Sequence, residues 1–122
     1  FLVRRAHARG LRRIVMTHPL FQATRQEIET LVALWRECGA YTELAYVNIA
    51  MDHLSYESYV QVIEAVGPQG VLLSSDLGQP FSPPVGEGLR DYFAQLGRHG
   101  VHQDAIARMA VLNPHQLVFG GG

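Results

Sequence analysis

Two residues in this sequence combine a chemically capable side chain with a position that exposes it, His18 and Asp76. Each ends a short apolar run without helical period, Ile14-Val15-Met16-Thr17-His18 and Val71-Leu72-Leu73-Ser74-Ser75-Asp76. Turn-formers follow at once: Pro19 after the first, and Gly78, Pro80, Pro83 and Pro84 after the second. Runs this short, bounded by Gly and Pro, read as buried strands. Alternate strand residues share a face, so Ile14, Met16 and His18 line up, as do Leu72, Ser74 and Asp76. Parallel α/β folds build their active sites at the C-terminal ends of strands. An imidazole and a carboxylate on one such rim could ligate a zinc-type ion, and either could serve as a general base toward water. Plainer roles stand beside these. Asp76 can cap its own loop by accepting the amide N–H of Gly78 or Gln79, and a His before Pro can be a turn residue.

Other chemically capable residues are less well placed. Glu43 falls in the middle of an alternating stretch, Ala40 to Asn48, and needs a partner if its face is buried. His53 lies at a strand-to-helix junction from which it could reach the same rim. His7, His99, His102 and His115 fall on helices or near their ends and read as surface groups. Tyr41, Tyr46, Tyr56 and Tyr59 read as packing residues. The glycines after Asp76 form neither a GxGxxG nor a P-loop pattern, so no nucleotide cradle is indicated.

The elements that must position His18 and Asp76 follow from pattern. Residues 1 to 10 read as a helix stopped by Gly10. Thr24 to Glu27 is a capping box that opens a helix carrying Ile28, Leu31, Val32 and Trp35 and closing at Cys38-Gly39. Ala40 to Asn48 reads as a third strand, with Tyr41, Glu43, Ala45 and Val47 on one face. Ser55 caps a helix with Tyr59, Val62, Ile63 and Val66 inward, ended by Gly67-Pro68. A helix near Glu87 to His99 follows, then one capped by Asp104 and broken at Asn113-Pro114. Strands alternating with helices imply an α/β domain of parallel strand–helix units with right-handed crossovers.

The 122 residues fit one domain, spanning 1–122, with 48% hydrophobic and 17% charged residues. There is no apolar run of about eighteen residues, hence no expected membrane span. Ten basic residues oppose eleven acidic ones, giving a net charge of −1, which offers no overall footprint for nucleic acid. Arg4, Arg5, Arg9, Arg12 and Arg13 nevertheless crowd the start, and read as a solvated helix face rather than an RNA-binding arm. Cys38 is the single cysteine, so neither an intrachain disulfide nor a thiolate zinc site is open to one chain, and a reducing, cytoplasmic setting is expected. The first residue is Phe1 rather than Met, from which a missing natural N-terminus is expected.

In their order and spacing, Thr17-His18-Pro19, then Ser74 to Pro80 (SSDLGQP), then Ala110 to Gly120 (AVLNPHQLVFG) resemble the C-terminal part of the amidohydrolase superfamily. The resemblance covers about residues 11 to 120. It implies the C-terminal part of a TIM-type (β/α)8 barrel and a metal-dependent hydrolase. A divalent ion, zinc above all, would activate water for attack on a C–N or C–O bond next to a carbonyl of a small-molecule substrate. Asp76 matches the aspartate ending the eighth strand, which binds the metal or takes the proton from its water. His18 matches the histidine ending the sixth, a metal ligand or catalytic group. No role is carried onto Glu43. The family's paired histidines of strand one, the bridging residue of strand four and the histidine of strand five have no counterpart here, so the segment by itself is expected to be inactive and prone to self-association. The alternative is a non-catalytic, stand-alone α/β binding or regulatory module in which His18 and Asp76 merely hold loops.

Overall fold

The computed structural model describes residues 1–120. Three parallel strands form one sheet in the order β1 (Val15–Met16), β2 (Tyr41–Ala45), β3 (Val71–Ser74). Helix α1 (Leu2–Ala8) precedes β1, and α2 (Arg25–Cys38) connects β1 to β2. Helices α3 (Tyr46–Ala50) and α4 (Tyr56–Val66), with a 3-10 turn at Pro68–Gly70, connect β2 to β3. After β3 come α5 (Val85–Arg98) and a long C-terminal helix, made of α6 (Gln103–Ala107), a π-helical stretch (Arg108–Leu112) and α7 (Asn113–Phe119). The α/β class with parallel strands read from the sequence is what the chain adopts.

The strand order decides how the layers form. Sequential parallel neighbours joined by right-handed crossovers place every connecting helix on the same side of the sheet. The core reports this: Leu44, Val71 and Leu73 cluster with Leu31 of α2, with Tyr59, Val62 and Ile63 of α4, and with Tyr92 and Leu96 of α5. The register pairs Glu43 with Leu72 and Ala45 with Ser74 on the opposite face. Glu43 is half-buried there, and the partner it requires is the Ser74 hydroxyl, which donates to Oε1 at 2.7 Å.

Local signals set most helix ends as expected. The Thr24 hydroxyl accepts from the Glu27 amide and the Glu27 carboxylate accepts from the Thr24 amide, closing the capping box. Gly39 takes the left-handed conformation that ends α2, at φ 62°. Ser55 caps α4 through the Ser58 amide.

Three expectations need correction. The strand expected over Ala40 to Asn48 ends at Ala45, because Tyr46 turns inward as the first residue of α3. There it meets the Tyr92 ring at 5.2 Å and donates to Asp91 at 2.6 Å. Burial of that ring overrides the β preference of Tyr-Val. Second, the C-terminal helix does not break at Asn113-Pro114. Its π-helical turn widens the backbone, and Pro114 falls in the first turn of α7, where a missing N–H is tolerated. Third, α6 is capped by His102, whose Nδ1 accepts the Asp104 amide at 3.1 Å, rather than by Asp104. The arginine cluster also resolves. Arg4 pairs with Glu37 at 2.7 Å, Arg12 donates to the His7 carbonyl, and Arg13 reaches the Val118 and Gly120 carbonyls. Of the five, only the Arg5 and Arg9 side chains hold no hydrogen bond among the described residues.

Candidate functional site

His18 and Asp76 leave β1 and β3, which flank β2, at the same end of the sheet. Their side chains meet there, with His18 Nε2 3.0 Å from Asp76 Oδ2. Both are about half exposed, so water reaches the pair. Both backbones are in the left-handed region, φ 51° at His18 and 50° at Asp76. Side chains other than Gly and, to a lesser degree, Asn and Asp meet steric resistance there. Two further non-glycine residues share this conformation, Ala23 (φ 54°) and Asp52 (φ 57°). Both lie in loops on the same rim. Strain of this kind gathers where the surrounding structure dictates a side chain's direction.

The loop after β3 shows what Asp76 does not do. The Leu77 amide donates to Ser75 Oγ at 3.3 Å and the Gly78 amide to Ser82 Oγ at 3.2 Å. Gln79 uses its side chain, donating from Nε2 to the Asp76 carbonyl at 2.9 Å. Two serines and a glutamine therefore do the capping that the plainer reading gave to the Asp76 carboxylate. Among the described residues the partner of that carboxylate is His18.

The histidine is held from behind by Asn48 of α3, whose amide nitrogen Nδ2 lies 3.3 Å from His18 Nδ1 and 3.3 Å from the Tyr59 hydroxyl. The Tyr59 hydroxyl donates in turn to the Ala45 carbonyl at 2.6 Å, inside the core. An amide nitrogen can only donate, so the ring nitrogen facing it accepts. The imidazole proton then sits on Nε2 and is donated to Asp76. The direction of the whole chain is thus set by a buried backbone carbonyl. Burial pushes the Tyr59 phenol up to about 12, which keeps it protonated and able to donate.

Asn48 was absent from the sequence candidates. Its signal was nevertheless present: it is the polar last residue of AYTELAYVN, the same strand-tip feature that singled out His18 and Asp76. His53 does come to this rim. It lines a cavity of about 420 Å³ with Asn48, Leu54, Leu20, Phe21 and Gln22. The loop carrying Phe21 is fixed by Glu27, whose carboxylate accepts the amides of Phe21 (2.9 Å), Gln22 (3.2 Å) and Thr24 (2.7 Å). Those amides, that of Thr24 foremost, hold the Glu27 carboxyl below its ordinary range. A larger groove of about 510 Å³ between α5 and the C-terminal helix is lined by Phe93, Val101, Ile106 and Ala110 among others and contains no titratable group.

Metal ligation needs more donors than this rim supplies. Among the described residues no group of three or more His, Cys, Asp or Glu is placed to hold an ion, and catalytic zinc ordinarily takes three protein ligands. His18 and Asp76 offer two, with the Nε2 position already directed at Asp76. No described helix is long and apolar enough to cross a membrane. No family model, curated protein or solved structure matches the chain.

Proposed function

We propose that this rim is the water-activating part of a hydrolase of the amidohydrolase type, with a small-molecule amide or ester as substrate. The observation that carries the proposal is the freedom of the Asp76 carboxylate. It is relieved of loop capping, turned by a left-handed backbone toward a second strand end, and left with one oxygen engaged by His18 and the other open to water. In this role Asp76 accepts a proton from water as the water oxygen forms its bond to the substrate carbonyl carbon. The same proton passes to the leaving nitrogen or oxygen as the C–N or C–O bond breaks. His18, donating from Nε2, keeps the carboxylate aimed.

Sequential strands with all helices on one face are also the local architecture of a barrel wall. We therefore take the chain as three consecutive strand–helix units of a longer (β/α)8 barrel. The divalent ion implied by the resemblance would act as a Lewis acid on the carbonyl or the water. Among the described residues no group of three or more His, Cys, Asp or Glu completes a site for it. The test is Asp76→Asn in the intact enzyme. Asparagine is nearly isosteric but cannot take the proton, so turnover is expected to fall at least about 10²-fold with an unchanged melting temperature. Near-normal turnover would overturn the assignment of Asp76 as the group that takes the proton.

A further inference from the structure

The cavity beside His18 has a definite polarity, fixed by the same hydrogen-bond chain. The Tyr59 hydroxyl has one proton and gives it to the Ala45 carbonyl at 2.6 Å. Toward Asn48 it can therefore only accept, which fixes Nδ2, not Oδ1, as the atom facing it. The second N–H of Nδ2 faces His18 Nδ1. Both Asn48 donors are thus spent, and the Oδ1 acceptor is left without a partner among the described residues. Asn48 is at the same time a wall of the 420 Å³ cavity, whose other walls are Leu20, Phe21 and Leu54, with Gln22 and His53 beside them. That volume lies within the range of small-molecule sites. Phe21 is 83% exposed, yet its backbone is tied down by Glu27. Phe21 thus borders the cavity with its ring open to a ligand.

We propose that this cavity is a substrate subsite for an apolar ring or branched alkyl group bearing an N–H. The N–H donates to Asn48 Oδ1, and the apolar group packs between Phe21, Leu20 and Leu54. The inference deepens the proposed hydrolase reading: it selects amides over esters, because an ester leaves Oδ1 without a donor. Asn48 is then a specificity-determining residue as well as the group that positions His18. A site built to hydrogen-bond a ligand N–H discriminates strongly against the analogue lacking it.

The experiment is a ¹⁵N-edited NMR titration of the 122-residue chain with benzamide and, separately, methyl benzoate, which has no N–H. Benzamide is expected to shift the amides of Phe21, Gln22, His53 and Leu54 saturably and to bind at least tenfold more tightly than the ester. Asn48→Leu should abolish that preference, whereas Phe21→Ala, a change at an exposed side chain, should weaken both probes. Asp76→Asn should leave benzamide binding intact. The subsite can thus stand even if the water-activating role of Asp76 fails, and fall even if that role holds. In the free chain at a pH where the ring is neutral, imidazole ¹⁵N shifts should show His18 protonated at Nε2. Equal affinity for the two probes, saturation at another surface, no binding of benzamide at millimolar concentration, or an Nδ1-protonated His18 would each overturn the proposal.

Discussion

Two asparagines mark the two ends of the sheet, and they are used differently. Asn113, at the start of α7, is 3% exposed and gives both N–H groups to backbone, the Pro68 carbonyl at 2.6 Å and the Val71 carbonyl at 2.7 Å. With Arg13 bonded to the Val118 and Gly120 carbonyls, it ties the C-terminal helix across the base of the sheet, from the start of β3 to the approach to β1. Asn48, at the opposite end, is half-buried and gives its N–H groups to side chains, at 3.3 Å each. Backbone partners at short distance hold elements together. Side-chain partners at longer distance orient another side chain, here the His18 ring. On the proposed reading, the base is built for stability and the rim for presenting chemistry.

The sharpest way to break this contrast is at the base. Asn113→Ala removes the side-chain donors to one buried carbonyl, Val71, and one half-buried carbonyl, Pro68, and each such loss costs about 1–3 kcal/mol. We expect a loss of about 3 kcal/mol in urea unfolding, with His18 and Asp76 still in contact by NMR. A loss under 1 kcal/mol would show that the C-terminal helix is held by packing alone.

The next effect belongs to the underside of the rim, which rests on phenols that titrate. The Tyr59 and Tyr92 hydroxyls donate to the Ala45 and Leu44 carbonyls, and Tyr46 donates to Asp91. Hydrogen bonding to Asp91 holds the Tyr46 phenol at about 12, and burial holds Tyr59 at about 12. Burial also raises Tyr92 well above its ordinary value. A folded-state pKa above the unfolded one stabilises fully below the unfolded value, about 10, and is lost as pH climbs through the folded one. The melting temperature should therefore be level below pH 10 and fall between pH 10 and 12, together with the rise of phenolate absorbance. Tyr59→Phe should shallow that fall. A level melting temperature up to pH 12 would contradict the burial argument.

A smaller effect is expected at the capping box. Thr24→Ala should cost about 1 kcal/mol and loosen the Phe21 loop, seen as line broadening of the Phe21 and Gln22 amides. Stability loss without loop broadening would mean that Glu27 alone fixes the loop.

Much of the frame was legible because it is written locally. The Thr24–Glu27 box, Gly39 and Ser55 each act through neighbours within a few residues, and two strand tips bearing His18 and Asp76 are a pattern within short runs. Parallel order then followed from the alternation of strands and helices. What was not legible depends on distant partners. Tyr46 leaves the strand because Tyr92 and Asp91, more than forty residues on, receive it. The helix runs through Pro114 because Asn113 is anchored to the turn before β3. Serines relieve Asp76 of its capping duty through the folded shape of a loop that composition alone does not specify. The chemical assignment of the rim rested on resemblance in the sequence, and rests on geometry as a proposal.

On the proposed reading, His18 is held in a left-handed backbone conformation (φ 51°) for the sake of where its ring points. Urea unfolding of His18→Gly puts this to the test. Glycine accepts φ near +50° without strain, and the relief offsets the added chain entropy of the unfolded state, each on the order of 1 kcal/mol. The half-exposed contact with Asp76 contributes little to stability. The variant is therefore expected to be at least as stable as the parent while losing the rim's chemistry. A loss of more than about 2 kcal/mol would mean that the His18 side chain is part of the scaffold, and the division between base and rim would not stand.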